Sequence, residues 1–520
     1  MKMRQTEQLE CDVLVVGGGI NGAGIARDAA GRGLSVILCE QDDLGAHTSS
    51  ASSKLIHGGL RYLQYYEFGL VRKALREREV LLRSAPHLIR ELRFVMPHVR
   101  GLRPAWMLRC GLFLYDRLAK RELLRASRQL DLTLHPAGVP LAPGLNRGYI
   151  YSDACVDDAR LVVLNAVAAA EHGARILTRT RLAAVAARDK RWHAELRAGD
   201  GARIDVRAKS LVNASGAWAM KLHAMADGPK QRPLRLVKGS HIVVPKLFGH
   251  DDAYIFQHAD GRIVFAIPYQ EEYTLIGTTD IDYDGDPREV RISEPEVDYL
   301  CGLSNTYFKN KIAPADVIWS YAGVRPLVDN GAGSAQALTR DYEIVTDRRA
   351  APLLSVFGGK ITTYRTLAEN AVDSLAGMME VPGKAWTAHA CLPGGDVLGA
   401  GATNDSVRHF TRFATSLCAR YHWLPPALVR RYAHTYGTRA NRMLDGCRQL
   451  SDMGAEVAPQ LYERELEYLM DVEWAATAED VLWRRTKLGL HAPSSAAAAV
   501  DTWMRLRGHQ VAPGYRTARA

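Results

Sequence analysis

The chain has 520 residues, of which 47% are hydrophobic and 24% charged; this is globular chemistry, excludes a disordered chain, and supplies material for about three domains. A formal net charge of +10 points to an anionic partner, whether substrate, membrane surface or nucleic acid, and composition does not choose among them. Eight scattered cysteines without a C-x-x-C pair argue against a zinc site or a redox dithiol, the polar first ten residues predict no cleavable signal peptide, and no apolar run nears the roughly 18 residues of a membrane span, so any membrane association is expected to be peripheral.

In chain order, Asp12–Val16 reads as a buried parallel strand, after which Gly17, Gly19 and Gly22 fit G-x-G-x-x-G at the turn into a helix. Gly17 permits the turn, Gly19 lets a pyrophosphate approach the backbone, and Gly22 lets the helix pack on the strand. The helix N-terminus offers N–H groups to anionic oxygens. A second strand, Ser35–Cys39, ends at Glu40, which is placed to accept ribose hydroxyls. Together these predict a dinucleotide-binding unit. Gly45–Gly59 follows as a Ser- and Gly-rich loop of functional character, and Tyr65–Leu92 has a helical pattern.

Residues 97–124 interleave Trp106, Met107, Leu108, Leu112, Phe113, Leu114, Tyr115 and Leu118 with Arg100, Arg103, Arg109, Arg117, Lys120 and Arg121. Such a stretch fits an interfacial helix on anionic lipid, or a buried domain helix with basic ends. Short β-branched runs at 175–178, 211–214, 241–244, 263–267 and 273–276 predict an antiparallel sheet in mid-chain. Leu353–Gly359 is again a buried strand ending in glycines, with a helical run over 363–379, so the cofactor domain is expected to be discontinuous. From about residue 390 the pattern is helical, most clearly over 408–421 and 463–488.

The motifs INGAGIARDAAGRG, SSASSKLIHGGLRYL, KGSHIVV, GTTD, YAGVRPL, TRDY, FGGKITTYR and WRRTKLG, in this order, resemble those of the FAD-dependent glycerol-3-phosphate dehydrogenases, most closely the aerobic, quinone-linked bacterial ones. The likeness covers nearly the whole chain, including a C-terminal helical domain that simpler glycine-oxidase-like relatives lack. It implies an α/β fold: a Rossmann-like, discontinuous FAD-binding domain, an antiparallel-sheet substrate domain, and a C-terminal α-helical domain. The oxidoreductase region is expected over 1–389, with FAD-binding parts at about 10–95, 150–220 and 340–389 and substrate- or membrane-facing parts at about 96–149 and 221–339. The helical domain is expected over 390–520.

The resemblance further implies FAD rather than NAD, contacted by Gly17, Gly19, Gly22, Glu40, Ser50, Ser52, Ser53, Gly358, Gly359 and Thr362. Backbone N–H groups at Gly358-Gly359-Lys360 suit the flavin's pyrimidine edge. A glycerol phosphate dianion needs fixed cations, and Arg61, Arg325, Arg340 and Lys360, with Tyr62, are the implied substrate-binding set. Removal of the hydroxyl proton suits a histidine: His241, at the start of a substrate-sheet strand, is favoured, and His57 is the alternative. His241, Arg325 and Lys360 are the expected catalytic residues; Thr278 and Thr279 are candidates to line the pocket.

The expected activity is oxidation of sn-glycerol 3-phosphate to dihydroxyacetone phosphate by hydride transfer to FAD. Electrons would pass to ubiquinone or menaquinone at the anionic, cytoplasmic face of the plasma membrane. No metal and no nucleic acid is implied, and a homodimer is left open. The alternatives are an O2-dependent oxidase of the same substrate and a nucleic-acid-associated flavoprotein.

Overall fold

The computed structural model describes residues 7–99, 102–231, 233–257, 262–329, 331 and 338–510, with backbone alone for 508–510. Arg100, one of the basic residues of the 97–124 stretch, and the last ten residues of the expected helical domain lie outside them.

The first of two large sheets has Glu7–Val16 at its centre, paired in parallel with Val36–Cys39 on one side and Arg203–Asn213 on the other. Arg175–Leu177 extends one flank in parallel, Leu353–Gly358 the other, and Tyr342–Asp347 closes that edge antiparallel. Val13 and Val15 face one side and Leu14 and Val16 the other, and both sides are covered, which is why the strand is a continuous apolar run. The helices Ile20–Gly31, Asp158–Glu171 and Tyr364–Ala376 cover the first side through Ala23, Ala26, Val163 and Leu367. Gly24 lets two of them close up, since a Cβ there would stand 2.9 Å from the Tyr364 ring. The runs 175–178 and 211–214 thus belong mainly to this parallel sheet, not to an antiparallel one in mid-chain. A short apolar run carries no mark of its partner's direction.

The second sheet has ten strands, mostly antiparallel. It takes in the expected runs 241–244, 263–267 and 273–276, within Leu234–Pro245, Ile263–Tyr269 and Tyr273–Gly277, and adds Trp319–Val328 along the first of these. Leu55–Ile56, Ile89–Pro97 and Arg147–Val156 pair here too, although the spans 10–95 and 150–220 were expected in the cofactor part. The helix expected over 65–92 runs only from Phe68 to Ser84. Ile89 and Leu92 are three apart and satisfy a helical pattern while lying in a strand.

Helix Ala105–Arg117 buries Leu108, Leu112 and Tyr115 on one stripe, so it is not an all-round buried helix. The C-terminal helices have their own core, including Leu417, Val429, Tyr432, Leu466 and Val481. The run expected to be helical over 463–488 is interrupted. Its first helix, Glu463–Glu473, stops at left-handed Trp474, and Asp480 then accepts the N–H groups of Ala476 and Thr477 to start a π-helical turn, Asp480–Arg485. All eight cysteines are free thiols.

Candidate active site

The C-terminal ends of the parallel strands come together where the chain leaves Val16 for the first helix, the position at which open α/β sheets bind ligands. The three glycines there have different tasks. A Cβ on Gly17, whose φ is +113°, would meet Ala214 O at 2.5 Å, and one on Gly22 would overlap Gly17 O at 1.9 Å. Gly19 would meet only Ser49 Oγ, at 3.1 Å, and faces open space. Glu40 is buried, and burial raises its pKa. One of its oxygens accepts Gly18 N–H at 2.6 Å and the other Asp42 N–H at 2.9 Å. Glu40, Asp42 and His47 bring ligand-type atoms within 4.8 Å of one another, but these bonds and the 2.8 Å His47–Asp42 contact already engage them in shaping the loop.

Glu40, Trp218, Lys221 and Met225 border a cavity of about 180 Å³, which meets a second of about 280 Å³ at Gly19, Thr48, Ser49 and Gly216. The second reaches Ser52, Ser53, Gly358 and Gly359, the last two at φ +75° and +106°. Asn21, on its wall, has a buried Oδ1 without a partner. A long cavity from a buried acid, across a helix N-terminus, to a glycine turn fits FAD. Three expected cofactor residues, Gly22, Ser50 and Thr362, lie off its wall, and Gly22 packs the helix against Gly17 O. Ser50 Oγ donates to His47 O at 3.3 Å, and fully buried Thr362 braces the His57 backbone, its Oγ accepting His57 N–H at 3.2 Å.

Beyond Gly358, the wall of the second cavity carries Arg61, Tyr62, Arg325, Arg340 and Lys360, the expected set, together with Thr278 and Asp280. Arg325 donates to Asp280 at 2.6 Å and to Thr278 Oγ at 3.0 Å, and Arg340 reaches the same Asp280 oxygen at 3.4 Å. Gly239 makes room for this guanidinium, since its Cβ would stand 2.4 Å from Arg325 Nη2. Lys360 donates to His57 O at 2.5 Å, and burial pushes its pKa down to about 7. Thr279, by contrast, is fully buried behind the wall, accepting Ser240 N–H and donating to Glu296.

The two histidines are placed differently. His57 lines the cavity, while His241 is 1% exposed and sits directly behind it, with Nε2 2.9 Å from Ser53 Oγ and its ring stacked on Tyr321 at 4.8 Å. A Cβ on Gly277 would lie 2.1 Å from that ring, so the GTTD glycine serves His241 as the KGSH glycine serves Arg325. Burial first, then nearby cations, holds both imidazoles well below their usual range: Lys360 foremost for His57, Arg325 for His241. Both are therefore neutral imidazoles at neutral pH.

Sequence reasoning missed Asp280, although GTTD contains it, and a buried knot around Asp153. That carboxylate accepts Tyr115 Oη at 2.8 and 2.9 Å, Gly58 N–H at 3.3 Å, and Arg78. Tyr115 belongs to the helix Ala105–Arg117, whose outer face exposes Trp106 (66%), Met107, Phe113 (58%) and Leu114, beside Arg109 and Arg117. No helix among the described residues is long and apolar enough to cross a membrane.

The chain matches the FAD dependent oxidoreductase family over residues 12–365 and the C-terminal domain of alpha-glycerophosphate oxidase over 385–512. It is 54% identical to a glycerol-3-phosphate dehydrogenase of Pseudomonas aeruginosa, covering 92% of each chain, and 49% identical to a D-erythritol 1-phosphate dehydrogenase of Brucella abortus, covering 95% of this chain and 97% of that one. The crystal structure of the glycerol-3-phosphate dehydrogenase from Bacillus halodurans, complexed with FAD, is similar with a TM-score of 0.77 and 28% identity, over 98% of this chain and 92% of that one. The chain is a member of the FAD-dependent oxidoreductase family that carries the glycerophosphate-oxidase C-terminal domain.

Proposed function

We propose that this flavoprotein oxidises sn-glycerol 3-phosphate to dihydroxyacetone phosphate and passes the electrons to ubiquinone or menaquinone while docked on the cytoplasmic face of the plasma membrane. The observation that carries the reading is that Arg61, Arg325, Arg340 and Lys360 all line the cavity that ends at Gly358–Gly359, where the one acid on the wall, Asp280, is held by Arg325 and Arg340. Such an excess of positive charge suits a phosphate dianion and has no use for a zwitterionic amino acid.

FAD, when bound, supplies the hydride acceptor. Arg61, Arg325 and Arg340 hold the phosphate at one end of the cavity and so orient the secondary alcohol. His57 faces the cavity and can take the hydroxyl proton directly; alternatively Ser53 Oγ accepts it while passing its own proton to His241 Nε2. Lys360, held by His57 O, brings positive charge to the oxygen on which negative charge develops. Gly358 and Gly359, on the cavity wall, would offer N–H groups to charge on the ring of bound FAD.

The exposed apolar and basic face of Ala105–Arg117 supports peripheral docking on anionic lipid, and a lipid-soluble quinone is the acceptor available there. This favours a quinone-linked enzyme over an O2-dependent oxidase, which a peroxide assay separates. A second polyol phosphate is favoured by the relative named D-erythritol 1-phosphate dehydrogenase. The test is the flavin absorption spectrum. Anaerobic glycerol 3-phosphate bleaches it, quinone restores it, and D-erythritol 1-phosphate in a parallel cell ranks the two substrates. No bleaching with either would overturn the reading.

A further inference from the structure

The WRRTKLG motif, residues 483–489, belongs to the C-terminal domain, yet its cationic side chains reach the oxidoreductase region. Arg484 Nε and Arg485 Nη1 both donate to Asp43 at 2.6 Å, and Arg485 Nη2 donates to the other Asp43 oxygen at 2.8 Å. Asp43 and Arg485 are buried. Asp43 lies three residues beyond Glu40, at the start of the loop whose Thr48, Ser49, Ser52 and Ser53 border the cavity. Arg484 also donates to Asp480, whose other oxygen accepts from Arg179 at 2.6 Å. The Arg179 backbone N–H in turn holds Asp42 O at 2.8 Å.

The same motif grips the far end of that loop. Lys487 Nζ donates to Asp157 at 3.0 Å, and the next residue, Asp158, accepts Ser52 Oγ at 2.7 Å and Lys54 Nζ at 2.9 Å. Trp483 stacks on Trp319 at 4.5 Å; Trp319 packs on Tyr321 at 5.0 Å, and Tyr321 Oη donates to Ser52 O at 2.7 Å. Three separate lines therefore run from one short segment to both ends of residues 43–54. The segment begins in a π-helical turn, a form that tends to occur at functional sites.

We propose that Arg484, Arg485 and Lys487 are positioning residues for FAD: the C-terminal domain fixes the loop that encloses the cofactor and thereby sets its affinity. A loop free at either end samples conformations in which its N–H and hydroxyl groups no longer converge, and the bound cofactor then bears the ordering cost. The inference rests on FAD binding along this loop and not on the identity of the substrate.

The test titrates FAD into deflavinated full-length protein, following the quenching of flavin fluorescence, alongside circular dichroism and Tm of the apoprotein. Arg485→Met and Lys487→Met are compared with Arg431→Met. Arg431 makes a bidentate pair with Glu465, at 2.7 Å on both arms, inside the helical domain and away from the loop. The expected result is at least a tenfold rise in the FAD Kd for Arg485→Met and Lys487→Met. Arg431→Met should lower Tm and leave the Kd within twofold. Lys487→Arg, which keeps the charge, should restore most of the affinity. Should Arg485→Met fail to fold, Lys487→Met carries the test, because its partner Asp157 is partly exposed. Wild-type Kd in Lys487→Met, or an equal Kd rise in Arg431→Met, overturns the proposal. Because no substrate enters the titration, the result stands apart from the substrate reading.

Discussion

Replacement of Arg325 by alanine tests the phosphate end of the cavity. Arg325 is half-buried, its guanidinium is fixed by Asp280 at 2.6 Å and Thr278 at 3.0 Å, and Gly239 leaves it just enough room. A phosphate contact from so constrained a fork forfeits little side-chain entropy, so its loss should sit near the upper end of the 1.5–3 kcal/mol typical of hydrogen bonds to charged groups. About 2.7 kcal/mol corresponds to roughly a hundredfold loss in kcat/KM. The phosphate lies away from the bond that breaks, so the loss should fall mostly on KM, with kcat changed far less. Asp280 keeps Arg340 as a partner in the variant, which limits disturbance of the fold. Arg61→Ala, on the same cavity wall, should behave alike. The assay is steady-state reduction of a soluble dye with varied glycerol 3-phosphate. Unchanged kinetics in both variants would remove these residues from the substrate site, and a pure kcat loss would place Arg325 at the reacting end instead.

Gly19→Val places a side chain where the cavity is open above the helix N-terminus, and should yield colourless or largely apo protein; full FAD occupancy would contradict the site. His57→Ala and His241→Ala separate two routes for the proton: the acceptor's loss should slow flavin reduction by about 10²–10⁴-fold in stopped flow, with substrate affinity little changed. If only His57→Ala does so, the relay through Ser53 is dispensable. Lys360, with its pKa lowered to about 7 by burial, carries its charge below that pH and loses it as pH rises through about 7. The ratio kcat/KM should therefore fall above pH 7 in the wild type and stay flat in Lys360→Arg; a flat wild-type profile refutes the assignment. Changing Arg103, Arg109, Arg117 and Lys120 to Gln, or Trp106 and Phe113 to Ser, should release the protein from anionic vesicles in flotation while sparing dye-linked activity. The first set should act in a salt-dependent way and the second with little salt dependence.

The cofactor half of the site was legible because its chemistry is local: the glycines, the first helix and Glu40 are close in sequence and keep their order in space. The cation cluster was legible only through motif resemblance, since Arg61, Arg325, Arg340 and Lys360 are brought together by strands and turns from distant parts of the chain. Strand direction was not legible for 175–178 and 211–214, because both faces of the parallel sheet are covered and the runs carry no alternation. The position of His241 behind the wall depends on register, with His241 facing Gly277 and Tyr321 on neighbouring strands, and no spacing in the sequence encodes that. Ser50 and Thr362 sit among residues that do line the cavity, and only side-chain direction separates them.

The interleaved order of the parallel sheet bears on how the protein comes to exist at all. Its first strand, Glu7–Val16, leaves the ribosome early, yet its inner neighbour, Arg203–Asn213, follows only after the whole of Leu55–Ala198 has been made, and that strand's own neighbour ends at Gly358. Until then Val13–Val16 is an apolar strand with an open edge, the kind of species that pairs with other chains. Folding should accordingly be slow and dependent on chaperones or on dilution, since long-range parallel pairing must meet its loop-closure cost before any contact rewards it. No fragment ending before residue 358 can assemble the cavity, so the cofactor domain cannot be cut out of this gene as one contiguous piece free of its substrate sheet.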